Sequence, residues 1–197
     1  MNFNFGVVAE YHQLFLKGTL LAIGMTLVII TGGIDLSVGS LIALAAVLAA
    51  GFIRDQAGGM SASTGGMVLG CLLAILVCGA IGGFSGLMIT RFAIPPFIVT
   101  LAMMLVGSGL AYILAQGQSI YQIPDSFVWL GRGADWFGLP NAVLLMALLY
   151  LAAHLVMSRT VLGRWIYAVG GNRQAARFSG VPVRRVLFLS YVVSGLL

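Results

Sequence analysis

Asp35 is the residue of this chain whose type and position best suit it to bind a ligand or take part in chemistry. It lies in the segment Thr31–Ser40, Thr-Gly-Gly-Ile-Asp-Leu-Ser-Val-Gly-Ser, between two long apolar runs. Lipid makes an unpaired carboxylate costly and leaves no water to solvate a broken backbone. Glycines beside such an aspartate therefore predict an interrupted helix that is surrounded by protein or water. We expect Gly32, Gly33, Asp35 and Ser37 to lie beside a solute path.

A structural role for Asp35 is the alternative, as the N-cap of the helix that follows it. In that role its carboxylate accepts the amide hydrogens of Ser37 or Val38. The sequence favours capping over substrate contact. The two roles are compatible, because the capped start of a half-helix beside a path can also line that path.

The sequence lacks the patterns of common enzymes and metal sites. Its one lysine, Lys17, follows Leu and precedes Gly-Thr, so the phosphate-binding pattern Gly-x-x-x-x-Gly-Lys-[Ser/Thr] cannot form. Two histidines and two cysteines make a metal site built from this chain alone improbable, and no nucleophile is paired with a base. We expect a protein that is not an enzyme, with no catalytic residue, no metal and no bound cofactor. Energy for transport would come from an ion gradient or from a partner.

The composition defines the class of protein. Hydrophobic residues make up 60% of the chain and charged residues 8%, with a mean hydropathy of +1.08. A soluble domain carries about a quarter charged residues, so this is an integral membrane protein. The net charge of +5 does not indicate nucleic-acid binding, because the basic residues lie beside the apolar segments.

Five apolar segments approach or meet the length of about 20 residues that a spanning helix needs. A sixth, Val186–Leu197, is shorter and ends without a polar flank, so we expect the sequence to stop inside a helix. The predicted fold is all-α, a polytopic membrane helix bundle of about five spanning helices and the start of a sixth. We expect a single domain over residues 1–197 that is incomplete at its carboxyl terminus. The five segments are Leu14–Gly33, Leu36–Ile53, Gly66–Thr90, Ile94–Ala115 and Pro140–Met157.

Lys and Arg predict the sidedness of the loops. The loop 158–185 contains six arginines and no acid, which places it in the cytoplasm. The loop 116–139 has one arginine against Asp125 and Asp135 and is predicted to lie outside.

The predicted cytoplasmic loop contains a short helix. Asn172 is a typical N-cap, and Gly180 followed by Val-Pro is a typical helix end, with a helix of three to four residues between them. Docking to a separate subunit and an ordinary juxtamembrane loop are both compatible with this spacing. An ion-driven transporter usually has several intramembrane ionisable groups, whereas Asp35 is nearly alone here.

Several stretches resemble the permease subunits of bacterial ABC sugar importers of the ribose, xylose and galactofuranose type. The resemblance covers about Ala22 to the end. Members of that family are considerably longer, so the chain looks truncated, and residues 2–19 fit amino-acid-type permeases better. The matching stretches are Gly24–Gly39, Ile94–Leu101, Ile123–Gly131, Gly163–Asn172 and Ala175–Val181.

The resemblance implies a transmembrane permease subunit of an ATP-driven, binding-protein-dependent monosaccharide importer, with the fold of ABC importer transmembrane domains, in the bacterial inner membrane. Besides lipid, it implies a cytoplasmic ABC ATPase that uses ATP, a periplasmic sugar-binding protein and a second permease subunit, identical or similar. The alternatives are a branched-chain amino-acid permease and a non-transporting scaffold or fragment, and we expect that this chain cannot transport by itself. The resemblance assigns ATPase coupling to Gln174, Ala175, Ala176, Arg177 and Gly180.

Overall fold

The computed structural model describes Gly18, residues 21–133 and residues 141–197, and within these ranges it contains helices and no strand. A short 3-10 turn, Gly59–Ser61, joins the second and third helices. The helices are α1 (Leu21–Ile30), α2 (Val38–Asp55), α3 (Thr64–Arg91), α4 (Pro96–Leu114), α5 (Asp125–Arg132), α6 (Asn141–Arg159), α7 (Val161–Gly171), α8 (Arg173–Phe178) and α9 (Val183–Leu196).

Four of the described helices, α2, α3, α4 and α6, are long and apolar enough to cross a membrane. They coincide with the last four of the five predicted segments, and the all-α membrane bundle is confirmed. The first predicted segment is described as α1 from Leu21 onwards, and its residues 14–17, 19 and 20 lie outside the described residues. The sixth segment belongs to α9, which begins three residues earlier than predicted, at Val183 behind Pro182.

The centre of the bundle is α3, which packs between α2 and α9. Glycines on α3 allow α9 to approach closely: a Cβ on Gly82 would collide with the carbonyl oxygen of Tyr191 and crowd Gly195. Gly86 similarly faces Phe188. In lipid, van der Waals contact between helices replaces the hydrophobic effect, so this close approach is what holds α3 and α9 together.

The two ends of the bundle differ in charge. At one end α3 finishes at Arg91 and α6 at Arg159, and α7, α8 and the start of α9 follow. We call this the basic end. At the opposite end Arg54 is paired with Asp55 at the end of α2, and α5 lies beside the start of α3, where the Ser126 hydroxyl is 3.9 Å from the Met67 sulfur.

Candidate functional site

The chain breaks its helical path between α1 and α2. Gly32 has φ +74°, its N–H donates to the Ile29 carbonyl at 2.9 Å, and the Gly33 N–H donates to the Val28 carbonyl at 3.0 Å. These two bonds form a Schellman motif, which glycine favours because it tolerates positive φ. Residues 33–37 are not helical, and α2 begins at Val38. The predicted interruption is confirmed, and we call residues 31–37 the helix break.

Asp35 is 3% exposed, and both of its carboxylate oxygens are hydrogen-bonded. Oδ1 accepts the Ser37 N–H at 3.0 Å and the Ser37 hydroxyl at 2.6 Å, and Oδ2 accepts the Ser194 hydroxyl of α9 at 2.8 Å. The predicted bond to the Ser37 amide is confirmed. The predicted position of the cap is wrong by two residues: Ser37 stands at the N-cap, because the Asp35 carboxylate closes a local turn before the helix begins.

The predicted path residues are mostly enclosed within the bundle. Gly33, Asp35 and Ser37 are buried, and Gly32 is exposed. A Cβ on Gly33 would meet the Tyr191 hydroxyl, and that hydroxyl donates to the Ile34 carbonyl at 3.3 Å. The geometry therefore ties the break to α9, and a role of these residues beside a solute path stays a prediction.

Sequence reasoning did not find Arg173, the first residue of α8. Its Nη2 donates to the Thr31 carbonyl at 2.8 Å and reaches the Gly32 carbonyl at 3.4 Å. Both acceptors lie at the C-terminal end of α1, where free carbonyls and the helix dipole attract a positive charge. The contact joins residues 142 apart in the chain, so no local pattern could reveal it.

The predicted short helix is α8, and both of its predicted ends are confirmed. Asn172 Oδ1 accepts the N–H groups of Gln174 and Ala175 at 2.9 and 3.0 Å, and Gly180 leaves the helix with φ +82°. The helix has six residues, Arg173–Phe178, and not three to four. It is longer because Arg173 directly follows the cap and the Ser179 N–H still bonds to the Ala175 carbonyl at 3.0 Å.

The side chains predicted for ATPase coupling separate into an outer and an inner set. Gln174, Ala175, Arg177 and Gly180 are exposed. Ala176 is 5% exposed, and we interpret it as an anchor for α8. It belongs to a buried cluster that joins α1, α7, α8 and α9, and that also contains Leu27, Ile166, Val169, Val186 and Leu187.

A groove of about 820 Å³ lies beside α8 at the basic end, and its lining contains no acidic residue. Four arginines line it, together with apolar residues that include Pro182 and Leu187; the arginines are Arg173, Arg177, Arg184 and Arg185. A surface of this kind is complementary to an acidic or polar partner surface.

A family model described as branched-chain amino acid transport system / permease component matches residues 11–197. The chain belongs to this family of permease components. Similar proteins include the ribose import permease protein of Escherichia coli (strain K12), 37% identical over 182 residues that cover 90% of this chain and 54% of that protein. The corresponding protein of Bacillus subtilis (strain 168) is 39% identical over 187 residues, 94% of this chain and 55% of that protein.

The galactofuranose transporter permease protein of Escherichia coli (strain K12) is 40% identical over 179 residues, 90% of this chain and 49% of that protein. These relatives confirm the resemblance to sugar permeases. The chain spans about half the length of the curated relatives that it matches. No solved structure matches it.

Proposed function

We propose that this chain is a transmembrane permease subunit of an ATP-driven, binding-protein-dependent sugar importer, in which it forms part of the solute path. The observation that carries the proposal is α8: a helix of six residues, capped at both ends, anchored by Ala176 and exposed at the basic end. So short a helix is unstable alone. Its fixed position therefore suits a docking element that a separate energy-supplying subunit contacts.

The partner proposed to dock on α8 is a cytoplasmic ABC ATPase, which would bind and hydrolyse ATP. Gln174, Ala175, Arg177 and Gly180 are exposed and would contact it. Arg184 and Arg185 of the adjoining groove add positive charge, which speeds association with an acidic or polar surface and orients it.

The remaining partners in this proposal are a second permease subunit, identical or similar, and a periplasmic sugar-binding protein that delivers the substrate. The chain would lie in the bacterial inner membrane with loop 158–185 in the cytoplasm and loop 116–139 in the periplasm. The cluster of arginines at the basic end supports this orientation by the positive-inside rule. Residues 134–139 of the outer loop lie outside the described residues.

A branched-chain amino-acid permease is the second candidate, because the matching family model carries that description. The names of the sugar import relatives favour a monosaccharide. A non-transporting scaffold is the third, and it predicts no ATPase bound at α8.

Co-purification tests the docking role. The chain is co-expressed with the ABC ATPase whose gene lies nearest to its own, and the retained ATPase is quantified in detergent. We expect wild type to retain the ATPase. Arg177→Glu should lower the retained amount at least about tenfold, because it reverses the charge of the docking surface. Asn172→Ala should lower it several-fold, because the loss of an N-cap destabilises α8 by about 1 kcal/mol. Arg164→Glu, an exposed charge reversal on α7, is the matched control and should retain the ATPase.

Absence of the ATPase from the wild-type chain would contradict the permease proposal and favour a scaffold. Reconstitution of the complete complex with its binding protein then separates the two substrate classes. We expect ribose or another monosaccharide to stimulate ATP hydrolysis. Stimulation by leucine alone would identify the amino-acid candidate as the correct one.

A further inference from the structure

Arg173 connects α8 with the C-terminal end of α1. Its backbone opens α8, whereas its guanidinium lies at the end of α1, 2.8 Å from the Thr31 carbonyl and 3.4 Å from that of Gly32. The Schellman motif of α1 uses the carbonyls of Val28 and Ile29. Arg173 therefore donates to carbonyls that the motif leaves open.

The surroundings hold Arg173 in this position. Gly170, near the end of α7, packs so closely on α1 that a Cβ there would collide with the Ile30 carbonyl oxygen. Asn172 then caps α8, so the chain between the two contacts is short and fixed. A hydrogen bond from a charged donor is about twice as strong as a neutral one, and a cation at a helix C-terminus also interacts favourably with the dipole.

The other half of the helix break is held by α9. Tyr191 donates to the Ile34 carbonyl, and Ser194 donates to Asp35. Residues 179–182 connect α8 directly to α9. The helix break is therefore hydrogen-bonded to Arg173 of α8 at its start and to Tyr191 and Ser194 of α9 at its centre.

We propose that Arg173 is a positioning residue that makes α8 and the helix break move together. A partner that shifts α8 would then shift the Thr31 and Gly32 carbonyls, and with them the turn that Asp35 closes. The role of the ATPase as that partner rests on the proposed function, whereas the link between α8 and the break does not.

Hydrogen exchange on the chain alone tests the link. In Arg173→Gln we expect the amides of Gly33 and Ser37 to exchange about tenfold faster than in wild type, because the end of α1 loses a charged donor. Arg164→Gln removes an equivalent charge from an exposed position on α7 and should exchange like wild type. Arg173→Lys should recover part of the protection, since an ammonium group can still donate to one carbonyl.

Unchanged exchange in Arg173→Gln would overturn the link. Faster exchange over the whole chain, rather than at residues 31–37, would also overturn it, because that pattern indicates general unfolding. If Arg173→Gln does not yield folded protein, Arg173→Lys decides the matter by the same comparison.

A second exchange measurement with saturating ATPase tests the transmission. In wild type, ATPase binding should slow amide exchange at residues 31–37 at least about threefold. In Arg173→Gln, binding should still slow exchange in α8 but should no longer slow it at residues 31–37. Slowing that persists in Arg173→Gln would overturn the proposed transmission. If wild type does not bind the ATPase, the proposed function fails, and transmission from that partner fails with it. The measurement on the isolated chain still decides the link itself.

Discussion

Helices α3 and α6 are both strongly apolar, but α3 is far more buried against other helices than α6 is. Both helices are long and apolar enough to cross a membrane, yet eight residues of α3 are buried and one residue of α6 is buried. In α6 the buried residue is Ala142, whereas α3 buries four glycines, three of them at α9. High hydropathy predicts that a helix lies in the membrane. The positions of its small residues predict whether it also packs closely against another helix.

The physical reason is the solvent. Lipid tails are as apolar as leucine, so an exposed leucine on α6 gains little by moving into protein. Two backbones can approach closely only where both lack large side chains, as at Gly82 and Gly195. The difference between α3 and α6 can be tested by paired substitutions.

The largest effect is expected for Gly82→Leu. The new side chain would overlap the Tyr191 carbonyl and force α9 away from α3, at a cost of about 3 kcal/mol. The measurement is thermal unfolding in detergent micelles, followed by size-exclusion chromatography. Gly109→Leu is the control, because no atom of another helix lies within 4 Å of the added Cβ, and it should leave the unfolding temperature unchanged or higher. Equal losses at both positions would contradict the packing described for α3 and α9.

A second pair compares equal truncations in buried and exposed positions. Leu44 of α2 is 1% exposed and packs in a cluster with Leu41, Cys78 and Ala111, whereas Leu148 of α6 is 61% exposed. Leu44→Ala should lower the free energy of unfolding by about 2–3 kcal/mol through the cavity it leaves. Leu148→Ala should change it by less than about 0.5 kcal/mol.

The same thermal assay applies to this pair. A large loss for Leu148→Ala would show that α6 packs against protein, for instance a second subunit retained in the micelle. Dilution of the sample separates those cases, because a subunit contact weakens with concentration and an internal contact does not.

The third prediction concerns Asp35. Asp35→Ala leaves the Ser37 amide and the Ser194 hydroxyl without their acceptor and should cost about 2 kcal/mol. Asp35→Asn keeps an acceptor oxygen for the Ser37 amide, and its side-chain NH2 group can donate to the Ser194 hydroxyl, so this variant should unfold close to wild type. Uptake by an intact homologue completes the test. If Asp35→Asn abolished uptake there while assembly stayed normal, a purely structural role would be wrong.

The sequence predicted the helix break and its local hydrogen bond well. Asp35 and Ser37 are two residues apart, and a side chain binds a neighbouring amide by rules that do not depend on the rest of the fold. The caps of α8 at Asn172 and Gly180 were predictable for the same reason. The segments α2, α3, α4 and α6 followed from apolar length alone.

The partners of the break could not be predicted. Ser194 is 159 residues from Asp35, and Arg173 is 142 residues from Thr31. The inward side of α8 was also hidden, because in so short a helix no periodicity shows that Ala176 is buried while Gln174 and Arg177 are exposed.

By itself, the sequence determined that this is a membrane-embedded helical protein with a glycine-flanked break at Asp35 and a capped helix after Asn172. Each of these properties depends on residues within a few positions of one another, or on average hydropathy. Only the tertiary structure decided that Arg173 fastens α8 to the end of α1 and that α9 supplies the second partner of Asp35. The reason is that packing of α1, α7, α8 and α9 brings together groups whose separation along the chain carries no signal.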